Sequence, residues 1–533
     1  YQKLDKNFST IFIKPMGNTD AGYPLHLVLF SSDANFDAPK WHAQQKVVML
    51  INNAIHPGEP DGVDATMMLM RDLATKKITV PSNVVVAVIP VYNIGGCLNR
   101  NSFSRVNQDG PESYGFRGNA QNLDLNRDFI KSDSKEAQSF AQIFHYLNPD
   151  IFIDNHVSDG ADYQHTITLL TTQHSKLGGE IGKFMHQTFE PALYKGMEEK
   201  NWSMCPYVNF ETANPDKGWV AFYDPPRFGS GYAALFGTMA FVTETHMLKP
   251  FADRVKSTYA LMQVMMKNAS KYAYTILQKR KESIASIQQQ NEFPLSWKLD
   301  SSQTDKIFFK GYEAEQKISD VTSLNRLFYN HQKPYSKDIV FYNYFMGEKV
   351  VSKPKAYLIP QGWQSVLQLL KANNVQMKQL NKDTVINVET YRIENYKTFT
   401  KPYEKHYKHY DVQISKQQQS VRFLKGDYII YTNQSANRFL VETLEPEADD
   451  SYFCWNFFDA ILQQKEGYSD YRWEDVAAKY LEQNPTLKQQ LLEKKKQDTA
   501  FANNASAQLN FVYKNSPYYE KEHLRYPVFR LVE

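Results

Sequence analysis

Short apolar runs alternate with longer amphipathic stretches through the first half of the chain. Leu25–Phe30, Val47–Ile51 and Val84–Val91 are nearly continuous apolar segments, the pattern of strands buried on both faces. Between the second and third, Val63, Met67, Met70 and Ala74 fall on one helical face. A helix over Lys135–Leu147, a strand at Ile151–Ile153 and a helix over Leu177–Phe189 continue the alternation. Strand, helix, strand in that order predicts a covered, largely parallel sheet. Asp253–Gln290 contains neither Pro nor Gly and reads as one long helix, broken by Phe293-Pro294. The texture then changes. Strands are expected at Lys355–Pro360, Val385–Ile393, His409–Ile414 and Tyr428–Tyr431, with a short helix over Trp363–Lys371. Residues 451–495 look mainly helical. No fixed-period repeat is visible. The expected organisation is an α/β region over 1–290 and an accessory region over 291–533, mixed α/β to about 445 and mainly helical after it.

Composition narrows the function classes. With 42% hydrophobic and 22% charged residues, a generally disordered chain is excluded. Lys plus Arg number 61 and Asp plus Glu 58, so the near-neutral balance argues against a nucleic-acid partner. Three cysteines, Cys97, Cys205 and Cys454, are too few for a disulfide framework or a cysteine-based zinc site and permit at most one bridge. The apolar runs fall short of the ~20 residues of a membrane helix, so no transmembrane segment is expected. A start at Tyr1 fits a removed export signal, the preferred reading, or simple trimming. A secreted or periplasmic protein is therefore expected.

Three segments carry candidate chemistry. His56-Pro-Gly-Glu59 follows the second strand and precedes a helix, and active sites of open α/β sheets form at such strand ends. Three-residue spacing on one turn lets an imidazole and a carboxylate converge on one ion. Taken alone, a surface His and a capping Glu is the better reading. His156 closes the apolar run of Asp150–His156 and is either a third ligand or a histidine bonded to loop backbone. The other histidines have no comparable setting, and His406 and His409, among Tyr and Lys, read as a solvated face.

Between these lies Phe116-Arg-Gly-Asn-Ala-Gln-Asn-Leu-Asp-Leu-Asn-Arg-Asp-Phe129. With the H-x-x-E before it, the strand-end His after it, and Phe241-Val-Thr-Glu-Thr-His-Met-Leu248 last, the order resembles the zinc carboxypeptidases of the M14 family, related to pancreatic carboxypeptidase A and the regulatory carboxypeptidases. The resemblance covers residues 10–275 and leaves the rest unexplained. It implies a zinc-carboxypeptidase-like mixed sheet flanked by helices. It implies one Zn2+ per chain held by His56, Glu59 and His156, with Asp124 bonded to the first His. Arg117 would stabilise the oxyanion, Asn126 and Arg127 would grip the substrate's terminal carboxylate, and Glu244 would be the general base. The partner implied is a peptide or peptide-like substrate with a free C-terminus.

The match loosens elsewhere. The family's substrate-capping Tyr corresponds to Tyr223, with Tyr232 as competitor. Arg227 either selects an acidic side chain or folds back onto Asp224. Glu244-Thr-His246 departs from the digestive enzymes and resembles a bacterial branch with a large C-terminal extension. The leading expectation is a zinc metallocarboxypeptidase. The alternatives are a zinc amidase or deacylase acting on acyl-amino acids or cell-wall peptides, and an inactive peptide-binding relative.

Overall fold

The computed structural model describes residues 1–210 and 215–532. Its centre is an eight-stranded mixed sheet. The strands are β1 (Ile11–Asn18), β2 (Pro24–Phe30), β3 (Val47–Asn53), β4 (Val84–Ile89), β5 (Ile151–Ser158), β6 (Ile167–Thr171), β7 (Cys205–Pro206) and, after a separate short β8 (Trp219–Val220), β9 (Met239–His246). They lie in the order β1-β2-β4-β3-β5-β9-β6-β7. The inner strands β4, β3, β5 and β9 run parallel, while β1 with β2, β2 with β4, and β6 with β9 are antiparallel. The expected covered sheet is present, and antiparallel strands on both sides of its parallel core make it mixed.

The period of two sorts the core. Val47, Met49, Ile51, Val84, Val86 and Val88 pack on one face, while Val48, Leu50, Val85, Ala87 and Ile89 pack on the other. Both faces are covered, which is why β3 and β4 read as continuous apolar runs. The helices Asp61–Ala74 and Phe251–Lys271 cover the first face. The second face carries the helix Lys135–Leu147, and beyond it the same apolar cluster continues into Tyr357, Phe439, Trp455 and Tyr526 of the accessory region.

Two local expectations shift. The helix after β3 turns Ala65, Leu69, Met70 and Leu73 inward and leaves Met67 43% exposed, so its buried stripe is offset from the expected one. Gly62 fixes this approach: a Cβ there would stand 2.4 Å from the Asn155 side chain of β5. The expected single helix of 253–290 is two, Phe251–Lys271 and Ala273–Gln289. The break falls at Tyr272, whose ring packs against Phe184 and Phe189. Each helix is anchored by a buried arginine. Arg254 donates to Asp61 at 2.9 Å and to the Asp109, Lys249 and Gly110 carbonyls. Arg280 donates to Asp150 at 3.0 Å, at the start of β5.

The accessory region contains a six-stranded sheet built on Ala356–Ile359, Thr384–Thr398, His409–Phe423 and Tyr428–Tyr431. The strands Thr384–Thr398 and His409–Phe423 outrun the segments expected from sequence. A long hairpin, Asp305–Ile318 with Asn325–Tyr342, has no counterpart in the sequence reading, and β8 pairs parallel to its second strand. The helices Asp470–Gln483, Pro485–Gln497 and Ala505–Lys514 surround Trp473 and Tyr513, in keeping with the helical expectation there. All three cysteines are unpaired, and His409 is buried between Thr398 and Asp459 rather than solvated. Among the described residues no helix is long and apolar enough to cross a membrane.

Candidate active site

The cleft opens at the C-terminal ends of the parallel strands. β3 ends at Asn53, and Ala54 takes a left-handed φ of 53°, turning the chain sharply into His56-Pro-Gly-Glu59. The Glu59 amide donates to the His56 carbonyl at 2.9 Å, so both side chains issue from one turn. His156 lies inside β5, which runs on to Ser158, two residues past the histidine expected to close it. Its register partner on parallel β9 is Glu244, so the two side chains share a sheet face.

These residues meet. His56 Nδ1 is 3.2 Å from Glu59 Oε1, and His156 Nδ1 is 3.1 Å from Glu59 Oε2. One ligand atom from each of the three lies within 4.8 Å of the others, and all three residues are buried. His56 Nδ1 is a buried nitrogen without a hydrogen-bond partner, facing the carboxylate. Two imidazoles and a carboxylate, with His56 Nδ1 unsatisfied on the side facing Glu59, form a donor set that fits a zinc-like ion. The far side of each ring is also met by a carboxylate. Asp124 Oδ1 sits 2.9 Å from His56 Nε2, and Asp154 Oδ2 sits 3.2 Å from His156 Nε2.

Charge surrounds this group. Arg117 donates from Nε to Asp124 Oδ2 at 2.9 Å and is 3.7 Å from Glu59. Arg127 follows on a 3-10 turn, Leu125–Arg127, whose Asn126 amide donates to the Asp124 side chain at 2.9 Å. Its guanidinium lies 4.5 Å over the Phe228 ring. Burial works against the Asp124 charge, but His56 and then Arg117 outweigh it and hold the carboxyl far below the usual range. Burial likewise opposes charge on His156, yet Asp154 and Glu59 raise its pKa well above an ordinary histidine's. Glu244 behaves oppositely. Its carboxyl is raised to about 8, with burial the largest cause, His156 pulling against it and Glu59 adding to the rise.

The cleft, about 190 Å3, is lined by the His56–Glu59–His156 group, Arg117, Asn126, Arg127 and Glu244, with Leu170, Val242 and Phe228 among its apolar walls. Tyr223 is not part of it. Its ring packs 5.7 Å from Phe345 and 5.2 Å from the Lys176 ammonium, and lines a neighbouring cavity. The adjacent Phe222 takes the cleft side. Tyr232 is also absent, being buried with its hydroxyl donating to Asn373 at 2.5 Å. Arg227 bonds neither substrate space nor Asp224, but Asp450 of the accessory region, at 2.6 Å. His246 is buried and accepts the Leu248 amide while facing the Ala161 carbonyl, a support for the loop after β5.

Two cleft residues escaped the sequence reading. Arg105 donates to Glu59 Oε1 at 2.9 Å and to the Val157 carbonyl at 3.0 Å. Gly58 leaves room for it: a Cβ there would stand 2.6 Å from Arg105 Cδ and 3.2 Å from the Gly115 carbonyl oxygen. Tyr207 also lines the cleft, its phenol kept protonated by burial and the nearby Glu244 carboxyl.

The family model for zinc carboxypeptidases matches residues 1–173, a stretch containing the H-x-x-E, the arginine–asparagine signature and His156. This part of the chain is similar to the zinc carboxypeptidase family. Carboxypeptidase 2 of Trichophyton rubrum is 21% identical over 80% of this chain and 76% of its own length. Probable carboxypeptidase 2 of Arthroderma benhamiae is 20% identical over 80% and 78%. Among solved structures, the metallo-carboxypeptidase of Burkholderia cenocepacia aligns with 17% identity and a TM-score of 0.37, covering 51% of this chain and 67% of that one. Carboxypeptidase A of Helicoverpa armigera aligns with 15% identity and a TM-score of 0.39, covering 51% and 72%.

If Asp124 orients His56 as a zinc carboxypeptidase requires, Asp124→Asn is expected to lower zinc affinity about 10–100-fold. Competition with a chelator reads this directly, and an unchanged affinity assigns the orienting role elsewhere.

Proposed function

We propose that the protein is a zinc metallocarboxypeptidase that removes the C-terminal residue of a peptide with a free terminal carboxylate. The supporting observation is one cleft in which the His56–Glu59–His156 group faces Glu244 and is flanked by Arg117 and Arg127. In this reading His56, Glu59 and His156 hold one zinc ion, which would supply a Lewis acid and an acidified water. Asn126 and Arg127 bind the substrate's terminal carboxylate, the guanidinium fork suiting a planar anion. Phe228 beneath the Arg127 guanidinium keeps that fork in place by a cation–π contact. Glu244 takes a proton from the attacking water and returns one to the leaving amine. Arg117 stabilises the negative charge that develops on the scissile carbonyl oxygen. Tyr207 covers the cleft mouth in the role expected of Tyr223. Leu170, Val242 and Phe228 give the pocket a wall suited to an apolar C-terminal side chain. Residues 1–290 carry the chemistry, and 291–533 serve as an accessory region.

The test is a set of peptides differing only in the last residue, each with a C-terminally amidated control, together with measured zinc content. Release of the last amino acid from free peptides alone, by a chain with one zinc, is the expected result. Equal cleavage of amidated peptides overturns the exopeptidase reading in favour of an amidase. Absence of zinc from the purified active chain overturns the metal assignment.

A further inference from the structure

The accessory region reaches the cleft through one turn. Tyr403 and His406 pair across it as an antiparallel bridge, and the two residues between them, Glu404 and Lys405, have φ of 47° and 72°. Consecutive left-handed residues other than glycine are disfavoured by their Cβ atoms and persist where the surroundings over-determine them. Here the surroundings are explicit. The Tyr403 ring stacks on the buried Trp455 at 6.0 Å, and the His406 ring meets the same indole edge-on at 5.6 Å. His406 Nε2 lies 2.7 Å from Asp133, and Lys405 Nζ lies 3.4 Å from it.

The product of this strained turn is a single contact. Glu404 Oε2 accepts the backbone N–H of Asp124 at 2.7 Å. Asp124 is the residue on which the cleft hangs. Its Oδ1 faces His56 Nε2 and accepts the Asn126 amide, both at 2.9 Å, and its Oδ2 accepts from Arg117 at 2.9 Å. Its carbonyl accepts the Arg127 amide at 3.0 Å. Side-chain bonds of Asp124 therefore fix its neighbours only if its own backbone is fixed, and Glu404 supplies that bond from outside the segment. The carboxyl is partly buried and its pKa is raised, chiefly by burial; the Asp124 N–H, Lys131 and Arg127 favour its charge, while the Asp124 carboxylate opposes it.

We propose that Glu404 is a positioning residue for recognition of the substrate carboxylate. By holding the Asp124 amide it sets where Asn126 and Arg127 stand, so the accessory region is a working part of the cleft. The inference rests on the carboxypeptidase reading for the substrate, and on the hydrogen bonds above for the placement.

The experiment uses the full-length, zinc-loaded chain and compares Glu404→Ala and Glu404→Gln with wild type on a peptide with a free C-terminus. The Gln amide oxygen can accept the same N–H, so the Gln variant separates the bond from the charge. Glu404→Ala is expected to raise KM about tenfold with kcat within about threefold, the effect of losing one charge-assisted bond that places a binding group. Glu404→Gln is expected to stay within about threefold of wild type in both constants. A general loss of folding lowers the melting midpoint and the active fraction without this split between KM and kcat, and it is not rescued selectively by Gln. An unchanged KM in Glu404→Ala, a fall in kcat at constant KM, or a Gln variant as impaired as the Ala variant overturns the proposal. Zinc affinity, read by chelator competition, needs no turnover. If wild type cleaves no free-carboxylate peptide, the carboxypeptidase reading falls and Glu404 is judged on zinc alone. A several-fold weaker affinity in Glu404→Ala, restored in Glu404→Gln, then supports its hold on Asp124 and through it on His56. An affinity equal to wild type overturns it.

Discussion

Replacing Glu244 by Gln is expected to lower kcat by about 10²–10⁴-fold, the usual reach of general acid–base assistance. Zinc content and KM should remain near wild type, because the amide keeps the size of the carboxylate and its register beside His156 on β5. The pH profile adds a second reading. A base works in its ionised form, so kcat/KM of wild type should rise with pH through the pKa of Glu244 in the free enzyme. Burial, the largest cause, together with the neighbouring charges raises that carboxyl to about 8, and a divalent cation at the neighbouring histidines acts against burial by favouring the ionised form. The acid limb should therefore fall below that value in the zinc-loaded chain and disappear in Glu244→Gln. A fully active Glu244→Gln enzyme would place the base on another residue.

Arg127→Ala should act on binding. The guanidinium lies over Phe228 at the side of the cleft, with its Nη1 3.9 Å from Asp124. Losing a charge-assisted, bidentate contact to a carboxylate removes about 1.5–3 kcal/mol, or roughly a 10- to 150-fold rise in KM. The loss should be confined to substrates that own the carboxylate. Wild type and Arg127→Ala are thus expected to differ strongly on free peptides and little on amidated ones. An equal loss on both would mean that Arg127 supports the fold of its turn and does not contact the substrate terminus.

Much of the site was legible because its chemistry is local in sequence. His56 and Glu59 share one turn, and Asp124, Asn126 and Arg127 share one short segment, so each set is local, while the roles expected of them came from the family resemblance and not from spacing. His156 was findable at the end of an apolar run, whereas Glu244 came from the family resemblance; both lie on parallel strands. Tyr223 misled because a tyrosine at the right distance from Glu244 carries no information about which way its ring points. In the folded chain that position faces Phe345 and Phe222 faces the cleft. Arg105 and Tyr207 sit in segments with no periodic pattern, and only the three-dimensional path brings them in. Glu404 lies 280 positions from Asp124, beyond any motif. The helix Asp61–Ala74 shows the same limit on a smaller scale. Several apolar residues lie around it, and the choice of inward stripe was made by Gly62 settling against Asn155.

The apolar cluster that crosses from the central sheet into the accessory region has an evolutionary corollary. Phe236 stacks on Phe439 at 5.5 Å, and Tyr232 reaches Asn373, so side chains from the two halves complete each other's packing. Close-packed interiors tolerate substitution best when volume is conserved across the whole contact. The two halves are therefore bound to drift in concert, each change on one side selecting its counterpart on the other.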